Sequence, residues 1–222
     1  MSMNITIEQV AQSPLFKNMT SDEVKDLLSR MNMLTKHVQK NDYIYLAGDV
    51  IENLCLVAKG SVQIVREDAE GEKSIVGHIR AGETFGENHF AAANRQSVVS
   101  YFVTETADIV LLPFSRMTLS VLGDVKLYSK FFTNMVAIVA EQNRELLEKV
   151  DILGKKTLRG KIMAYLEQQS SEKKSVRFEV PFSRTDMANY LDADRSAMTR
   201  ELARMKDEGL IDFNKHMFVL CG

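Results

Sequence analysis

Five side chains that can read a DNA base edge sit close together near the C-terminus: Arg195, Ser196, Thr199, Arg200 and Arg204. On a helix, these spacings place all five on one broad face. Arginine can donate two parallel hydrogen bonds to O6 and N7 of guanine, and Ser and Thr add weaker, less discriminating contacts. The alternative is a solvated face in which these arginines pair with Glu201 and Asp207. The surrounding elements decide between the two. Val176–Val180 alternates like a short strand and Pro181 ends it. Ser183 then caps a helix, with Asp186 three residues on and Met187, Ala188 and Leu191 as its buried face. Asp192-Ala193 is a short break. A second helix, 194–208, buries Ala197, Met198, Leu202 and Met205 and is stopped by Gly209. Residues 210–220 read as a hairpin with Asn214-Lys215 at its tip. Two short helices around a tight turn, followed by a hairpin, form a winged helix-turn-helix. Arg184, opening the first helix, and Lys215, on the wing, join the candidate DNA contacts.

Other chemistries lack their residues. There is no GxSxG, HExxH, Walker A or GxGxxG pattern, so an enzyme is not expected. A cupin-like metal enzyme would need clustered histidines, and Glu87-Asn88-His89 is too sparse for one. The two cysteines, Cys55 and Cys221, lie far apart with no CxxC, which disfavours a structural zinc or iron–sulfur site and points to a reducing cytoplasm. Cys55, within Leu54-Cys55-Leu56-Val57, reads as a buried strand residue. His37, His78 and His89 are the available axial ligands for a haem, but a lone histidine in a β domain is more often structural. The N-terminus carries no secretory pattern, and no stretch approaches the roughly 18 apolar residues of a membrane span.

The chain has 222 residues, 45% of them hydrophobic, and a formal charge of -2. That total argues against a nucleic-acid binder until it is divided. Residues 1–150 carry 15 basic and 19 acidic side chains, whereas residues 151–222 carry 13 and 11. The end that holds the arginine face is therefore basic relative to the rest, as phosphate attraction requires.

Upstream, residues 5–33 look helical, with Thr20 or Ser21 as a cap and Val24, Leu27, Leu28 and Met31 on one face. From about 35 to 115, short apolar runs recur: 43–46, 54–58, 61–65, 74–79, 97–103 and 108–112. Turn signals at Ala47-Gly48-Asp49, Lys59-Gly60, Glu70-Gly71-Glu72 and Arg80-Ala81-Gly82-Glu83 separate them. This is the pattern of an all-β barrel or sandwich. Residues 117–153 contain no proline and one glycine. Phe132, Val136, Val139, Asn143, Leu146, Val150 and Leu153 recur at spacings of four and three, a heptad seam that Leu122, Val125 and Ser129 extend backward. Phe131, Met135 and Ile138, off the seam, are expected to pack on the chain's own core. The seam is better explained by a partner helix in a parallel dimer. Asn143 within it would fix register and oligomer state. After Gly154 comes a run holding Lys155, Lys156, Arg159 and Lys161 with no acid. A helix over 161–169 and a polar loop over 170–175 follow, so a domain boundary is expected near 150–155.

This order of elements resembles the CRP/FNR family of bacterial transcription regulators over essentially the whole chain. The matching motifs are Ser13-Pro14-Leu15-Phe16, Phe85-Gly86-Glu87, and Arg184–Leu191 followed by Asp194–Leu202. The resemblance implies an α+β architecture: a cyclic-nucleotide-binding-like double-stranded β-roll with N-terminal helices (residues 1–116), a dimerisation helix (117–153) and a winged helix-turn-helix (154–222). It also implies a cytoplasmic homodimer that reads a palindromic duplex with half-sites about 34 Å apart, and a small effector whose binding in the roll repositions the winged helices. RNA polymerase is a further partner compatible with it.

This chain departs from the family pattern at two places. The recognition helix often reads Arg-Glu-x-x-x-Arg. Arg195 and Arg200 match, but Ser196 replaces the glutamate, which predicts a different half-site. In cyclic-AMP-binding members, Gly-Glu is followed by adjacent Arg-Ser. Here Gly86-Glu87 match, but Arg95-Gln96-Ser97 splits the pair. A Thr-Ser pair on the long helix is also missing, the nearby residues beginning at Asn143. Gly86, Glu87, Arg95, Gln96, Ser97 and Asn143 are thus candidates for an anionic effector other than cyclic AMP. Equally, Gly86-Glu87 with Arg95 would be a retained structural turn closed by an Arg–Glu pair. A cyclic-AMP or haem sensor of the same fold is the alternative.

Overall fold

A computed structural model describes residues 5–67 and 73–221. The expected turn at Glu70-Gly71-Glu72 lies outside the described residues. The chain divides into two compact units, Met1–Asn143 and Arg144–Gly222.

In the first unit the N-terminal stretch is a set of short helices rather than one. Helix α1 (Ile7–Ala11) and helix α2 (Ser21–Arg30) flank a 3-10 turn at Pro14–Phe16. Each α-helix opens with a reciprocal capping box, Thr6 with Gln9 and Thr20 with Glu23. These boxes satisfy amide groups that the helix itself leaves unpaired. Ser13 caps the 3-10 turn and drives Leu15 and Phe16 into the core.

The roll is built from β1 (Leu34–Val38), β2 (Tyr43–Tyr45), β3 (Asn53–Glu67), β4 (Lys73–Arg80), β5 (Thr84–Phe85) and β6 (Ser100–Pro113). The order along the sheet is β1-β6-β3-β4, with β2 paired to β6 and β5 to β3, and every pair is antiparallel. Two expectations are corrected here. The runs at 54–58 and 61–65 form one strand, so Lys59-Gly60 is not a turn. The register slips there instead, with Gly60 at φ +87°. A Cβ on Gly60 would lie 2.5 Å from the Thr106 carbonyl oxygen, so only glycine lets the two backbones meet. Likewise the runs at 97–103 and 108–112 belong to the single long strand β6. A glycine in an apolar pattern signals a bulge as readily as a turn, and periodicity alone does not separate them.

The long helix also begins later than expected. Gly123, at φ +70°, ends a short helix α3 (Leu119–Leu122), and α4 runs over Val125–Leu153. Leu122 is therefore not on the seam helix; it is buried in the core. Leu127, Phe131 and Met135 of α4 are buried against the roll and α2, as expected of the off-seam residues, and Ile138 packs at the edge of the same core. Asn134 donates to the carbonyls of Leu15 and Lys17 at 3.0 and 2.9 Å, and Lys130 pairs with Glu23 at 2.6 Å.

The second unit holds the C-terminal end of α4 together with α5 (Leu158–Lys173), β7 (Arg177–Glu179), α6 (Arg184–Tyr190), α7 (Arg195–Asp207), β8 (Ile211–Asn214) and β9 (Met217–Leu220). The three strands order as β7-β9-β8. Ile162, Tyr165, Leu166, Met187, Leu191, Met198, Leu202, Met205 and Phe218 form its core. Helix α5 starts at its Thr157 cap and continues to Lys173, so the polar stretch 170–175 is mostly helical rather than a loop. Its Ser170 and Ser171 sit at the end of a helix already nucleated upstream, where propensity counts for little.

Candidate nucleic-acid interface and effector site

The sequence places Ser183 as a cap, and its hydroxyl accepts from the Asp186 amide at 3.1 Å. In turn the hydroxyl donates to the Asp186 carboxylate at 2.7 Å, which locks the start of α6. The turn into α7 passes through Asp192 at φ +49°, a left-handed conformation that Asp tolerates better than most side chains. Asp194 caps α7 by accepting from the Ala197 amide at 2.7 Å. Met198, Leu202 and Met205 anchor the inner face of α7, while Ala197 is only half-buried. The opposite face carries the sequence-predicted set. Arg195, Ser196, Thr199, Arg200 and Arg204 are all exposed. Arg204 reaches Glu201 at 3.5 Å, whereas Arg195 and Arg200 have no ion pair among the described residues. The Thr199 hydroxyl donates to the Arg195 carbonyl at 2.8 Å.

The wing turn is one residue later than expected. Asn214 still pairs with Met217, so the tip is Lys215-His216, with Lys215 at φ +54° and exposed. Arg184 is half-buried. Its guanidinium lies over the rings of Phe213 and Phe218, at 4.7 and 4.8 Å, and donates to the Lys215 carbonyl at 2.9 Å. It thus braces the wing against α6.

Two residues that the sequence reading used only to mark a boundary hold this reader together. Lys161 of α5 donates to the carbonyls of Leu191 and Asp192, at 3.1 and 3.4 Å, closing the turn between α6 and α7. Arg159 bonds Glu201 at 2.6 Å and both oxygens of Glu208 at 2.7 and 2.8 Å. The signal was present: Glu201 and Glu208 sit seven apart on the flank of α7, beside its buried stripe. Lys155 is engaged as well, with Asp151 at 2.9 Å. Most of the basic run is spent inside the unit rather than offered to phosphate.

In the first unit, Gly86 takes φ +92°, and a Cβ there would lie 2.8 Å from the Asn53 carbonyl oxygen. It directs Glu87 inward until that side chain is 5% exposed. Oε1 of Glu87 accepts from the Thr84 hydroxyl at 3.1 Å and from the Gln142 carboxamide of α4. Oε2 is buried with no hydrogen-bond partner among the described residues. Burial pushes the Glu87 carboxyl above the usual range, and hydrogen bonds from its own backbone amide, Gln142 and Thr84 hold it partly down. The expected Arg–Glu pair is not formed. Arg95 is exposed; it donates to the Phe90 carbonyl at 3.3 Å and lies 5.4 Å over the Phe114 ring. Gln96 is exposed. The Ser97 hydroxyl is buried and donates to the Val99 carbonyl at 2.7 Å. Asn143 is exposed on α4, next to Gln142, the residue that reaches Glu87 and that sequence reasoning missed. No pattern distinguishes one polar residue on an exposed helix from its neighbour.

The histidines have other occupations. His37 bonds Asp108 at 2.6 Å, and His78 bonds Gln63 at 3.1 Å. His89 is buried, which lowers its pKa, and its Nδ1 has no hydrogen-bond partner among the described residues. Among the described residues no group of three or more metal-ligating side chains assembles. No described helix is long and apolar enough to cross a membrane. Cys55 is fully buried in β3, and burial raises its thiol pKa well above the ordinary value.

The seam residues of α4 are the largest exposed apolar set on a single element. Val136 is 65% exposed, Val139 37%, Leu146 51% and Val150 67%. Phe132 is partly buried, its ring 5.4 Å from that of Phe90.

Residues 35–122 match the model of the cyclic nucleotide-binding domain, and residues 160–221 match the Crp-like helix-turn-helix domain. Electron transport regulator A of Shewanella oneidensis is 22% identical over 196 residues, 86% of this chain and 74% of its own length. The cAMP-activated global transcriptional regulator Vfr of Pseudomonas aeruginosa is 22% identical over 205 residues, 88% of this chain and 95% of its own. The fold matches that of the c-di-GMP responsive global regulator CLP of Xanthomonas campestris with a TM-score of 0.71. That match is 18% identical and covers 91% of this chain and all of CLP.

Proposed function

We propose, because this chain belongs to the CRP/FNR family of transcription regulators, that it acts as a cytoplasmic homodimer reading a palindromic DNA duplex. The observation that carries the reading is the exposed face of α7. Arg195 and Arg200 project from a capped helix with no carboxylate among the described residues to hold them, an arrangement with a clear use only if an external acceptor supplies the bonds. Ser196, Thr199 and Arg204 extend that face, Lys215 contributes a phosphate contact from the wing, and Arg184 holds the wing in place. With Ser196 in place of an acid, cytosine N4 has no strong acceptor, so the half-site departs from one read by Arg-Glu-x-x-x-Arg.

The partner for the seam of Phe132, Val136, Val139, Asn143, Leu146 and Val150 is a second copy. Its exposed valines and leucines at heptad spacing would otherwise face water. Functionally the chain reads as a sensing roll (1–116), a dimer helix (117–153) and a DNA reader (154–222). A small effector at Gly86, Glu87, Arg95, Gln96, Ser97 and Asn143 biases the reader. Arg95 supplies an exposed positive charge, and Glu87 a buried acceptor with one oxygen still open to a donor. RNA polymerase is the onward partner of such a regulator.

Selection of bound duplexes from a random pool, with and without cell extract, tests this reading. Enrichment of a two-fold-symmetric sequence is expected. A bound pool no different from the input would sink it, and enrichment only with extract would identify the effector as obligatory.

A further inference from the structure

The grip of α5 on the recognition helix has a geometry that packing alone does not require. Glu201 and Glu208 are two turns apart, about 10 Å along the axis of α7. A single guanidinium, that of Arg159, spans them: Nε meets Glu201 at 2.6 Å, and Nη1 and Nη2 fork onto Glu208 at 2.7 and 2.8 Å. A planar fork is directional, so contact at both ends constrains α7 in rotation about its axis and in sliding along it. The buried stripe of Met198, Leu202 and Met205 holds α7 down, but methionine adapts its shape and leaves small rotations cheap. Lys161, two residues along α5, fixes the two carbonyls of the turn at which α7 begins. One helix therefore sets both the origin and the phase of the next. Bidentate base contacts tolerate only roughly 10–20° of misorientation.

We propose that Arg159 is a positioning residue for DNA recognition: through Glu201 and Glu208 it sets the phase at which α7 presents Arg195 and Arg200. Arg159 decides base discrimination without contacting DNA, a statement that rests on α7 being the base-reading helix. The Glu208 arm of the clamp is exposed and adds little to stability, whereas the Glu201 arm is half-buried, so the lysine and glutamine variants below serve to separate discrimination from folding.

The test uses the full-length protein, the duplex that the wild type enriches from a random pool, and the single-base variants of that duplex. Arg159→Ala is expected to lower the ratio of enriched to variant affinity about tenfold while binding to an unrelated duplex stays nearly unchanged. Arg159→Lys, which keeps the charge and loses the fork, is expected to show most of the same loss. A chain carrying Glu201→Gln with Glu208→Gln should reproduce it, and adding Arg159→Ala to that chain should lower the ratio no further. The proposal is overturned if Arg159→Ala weakens every duplex by one common factor, if Arg159→Lys keeps full discrimination, or if the combined losses add. Should Arg159→Ala fail to fold, the lysine and double-glutamine chains decide alone. A wild type that enriches no sequence is a distinct result: it removes the base-reading role of α7, and this inference with it.

Discussion

The Gln142 carboxamide donates to Oε1 of Glu87, joining the long helix to the buried carboxylate that follows Gly86. The other oxygen, Oε2, is buried and has no hydrogen-bond partner among the described residues, so ionised Glu87 sits where its charge is poorly solvated. Its pKa is therefore raised in the folded chain, and the folded state holds this proton to higher pH than the unfolded state does. The resulting stabilisation is complete below the ordinary carboxylate value and is lost as pH rises through the raised one. Glu87→Gln should flatten the decline in unfolding free energy above about pH 4.5, as read by urea melts across pH. A profile parallel to that of the wild type would contradict the assignment. Gln142→Ala leaves Oε1 to Thr84 alone and should cost about 1–3 kcal/mol in the same melts.

Arg200→Ala should weaken binding to the selected duplex by about 1–3 kcal/mol and relax the preference at one base position. Measured affinities that keep the full base preference would remove Arg200 from the reading set.

Leu146→Asp puts a charge in the middle of the exposed seam. Sedimentation or light scattering should show dissociation to monomers, because a carboxylate cannot be buried unpaired between apolar helices. Asn143→Leu should alter oligomer state or register rather than abolish association. A dimer untouched by both substitutions would place the interface elsewhere.

Asp192 holds the turn before α7 at φ +49°. Asp192→Gly should leave stability within about 1 kcal/mol of wild type, the relieved backbone strain offsetting the more flexible unfolded chain. Asp192→Val should cost about 1–2 kcal/mol, since a β-branched residue is a poor fit to this conformation. Equal melting points for the two would mean that the turn relaxes elsewhere.

Lys149, on α4, lies 4.2 Å over the Tyr190 ring, and burial lowers its pKa to about 8, with the charge of Asp192 opposing the shift. Between about 8 and 10.5 the unfolded chain binds more protons at this site than the folded one, so stability should rise with pH across that window. Lys149→Met should remove the rise. Thermal melts from neutral pH to about pH 10.5 check this, and a slope unchanged in the variant would exclude Lys149 as its source.

Much of the reader was legible in the chain itself. Ser183, Asp186 and Asp194 announce their caps because an N-cap needs a short acceptor at one position relative to the following apolar stripe. Met187, Leu191, Met198, Leu202 and Met205 announce the buried faces because the helical period is local. Gly209 and Asp192 mark two of the places where the backbone turns left-handed. The α4 seam was visible for the same reason.

What the chain did not disclose depends on contacts between residues far apart in sequence. Lys59-Gly60 looks like a turn until Glu105–Ala107 is seen packed against it, and only that neighbour makes it a bulge within one strand. Gly123 breaks the long helix where its φ is positive, and the same residue at negative φ would have been passed over. Arg159 and Lys161 read only as part of a basic run at a domain boundary, yet their partners lie 30 to 49 residues away in the same unit. One of the two readings of Gly86-Glu87 paired Glu87 with Arg95, but the carboxylate takes Gln142, 55 residues on. Periodicity and capping are short-range and leave their mark in the order of residues. Which polar groups close on one another is settled only when packing brings distant segments within a hydrogen bond of each other, and in this protein that is what distinguishes the arginines engaged inside the fold from those left exposed on α7.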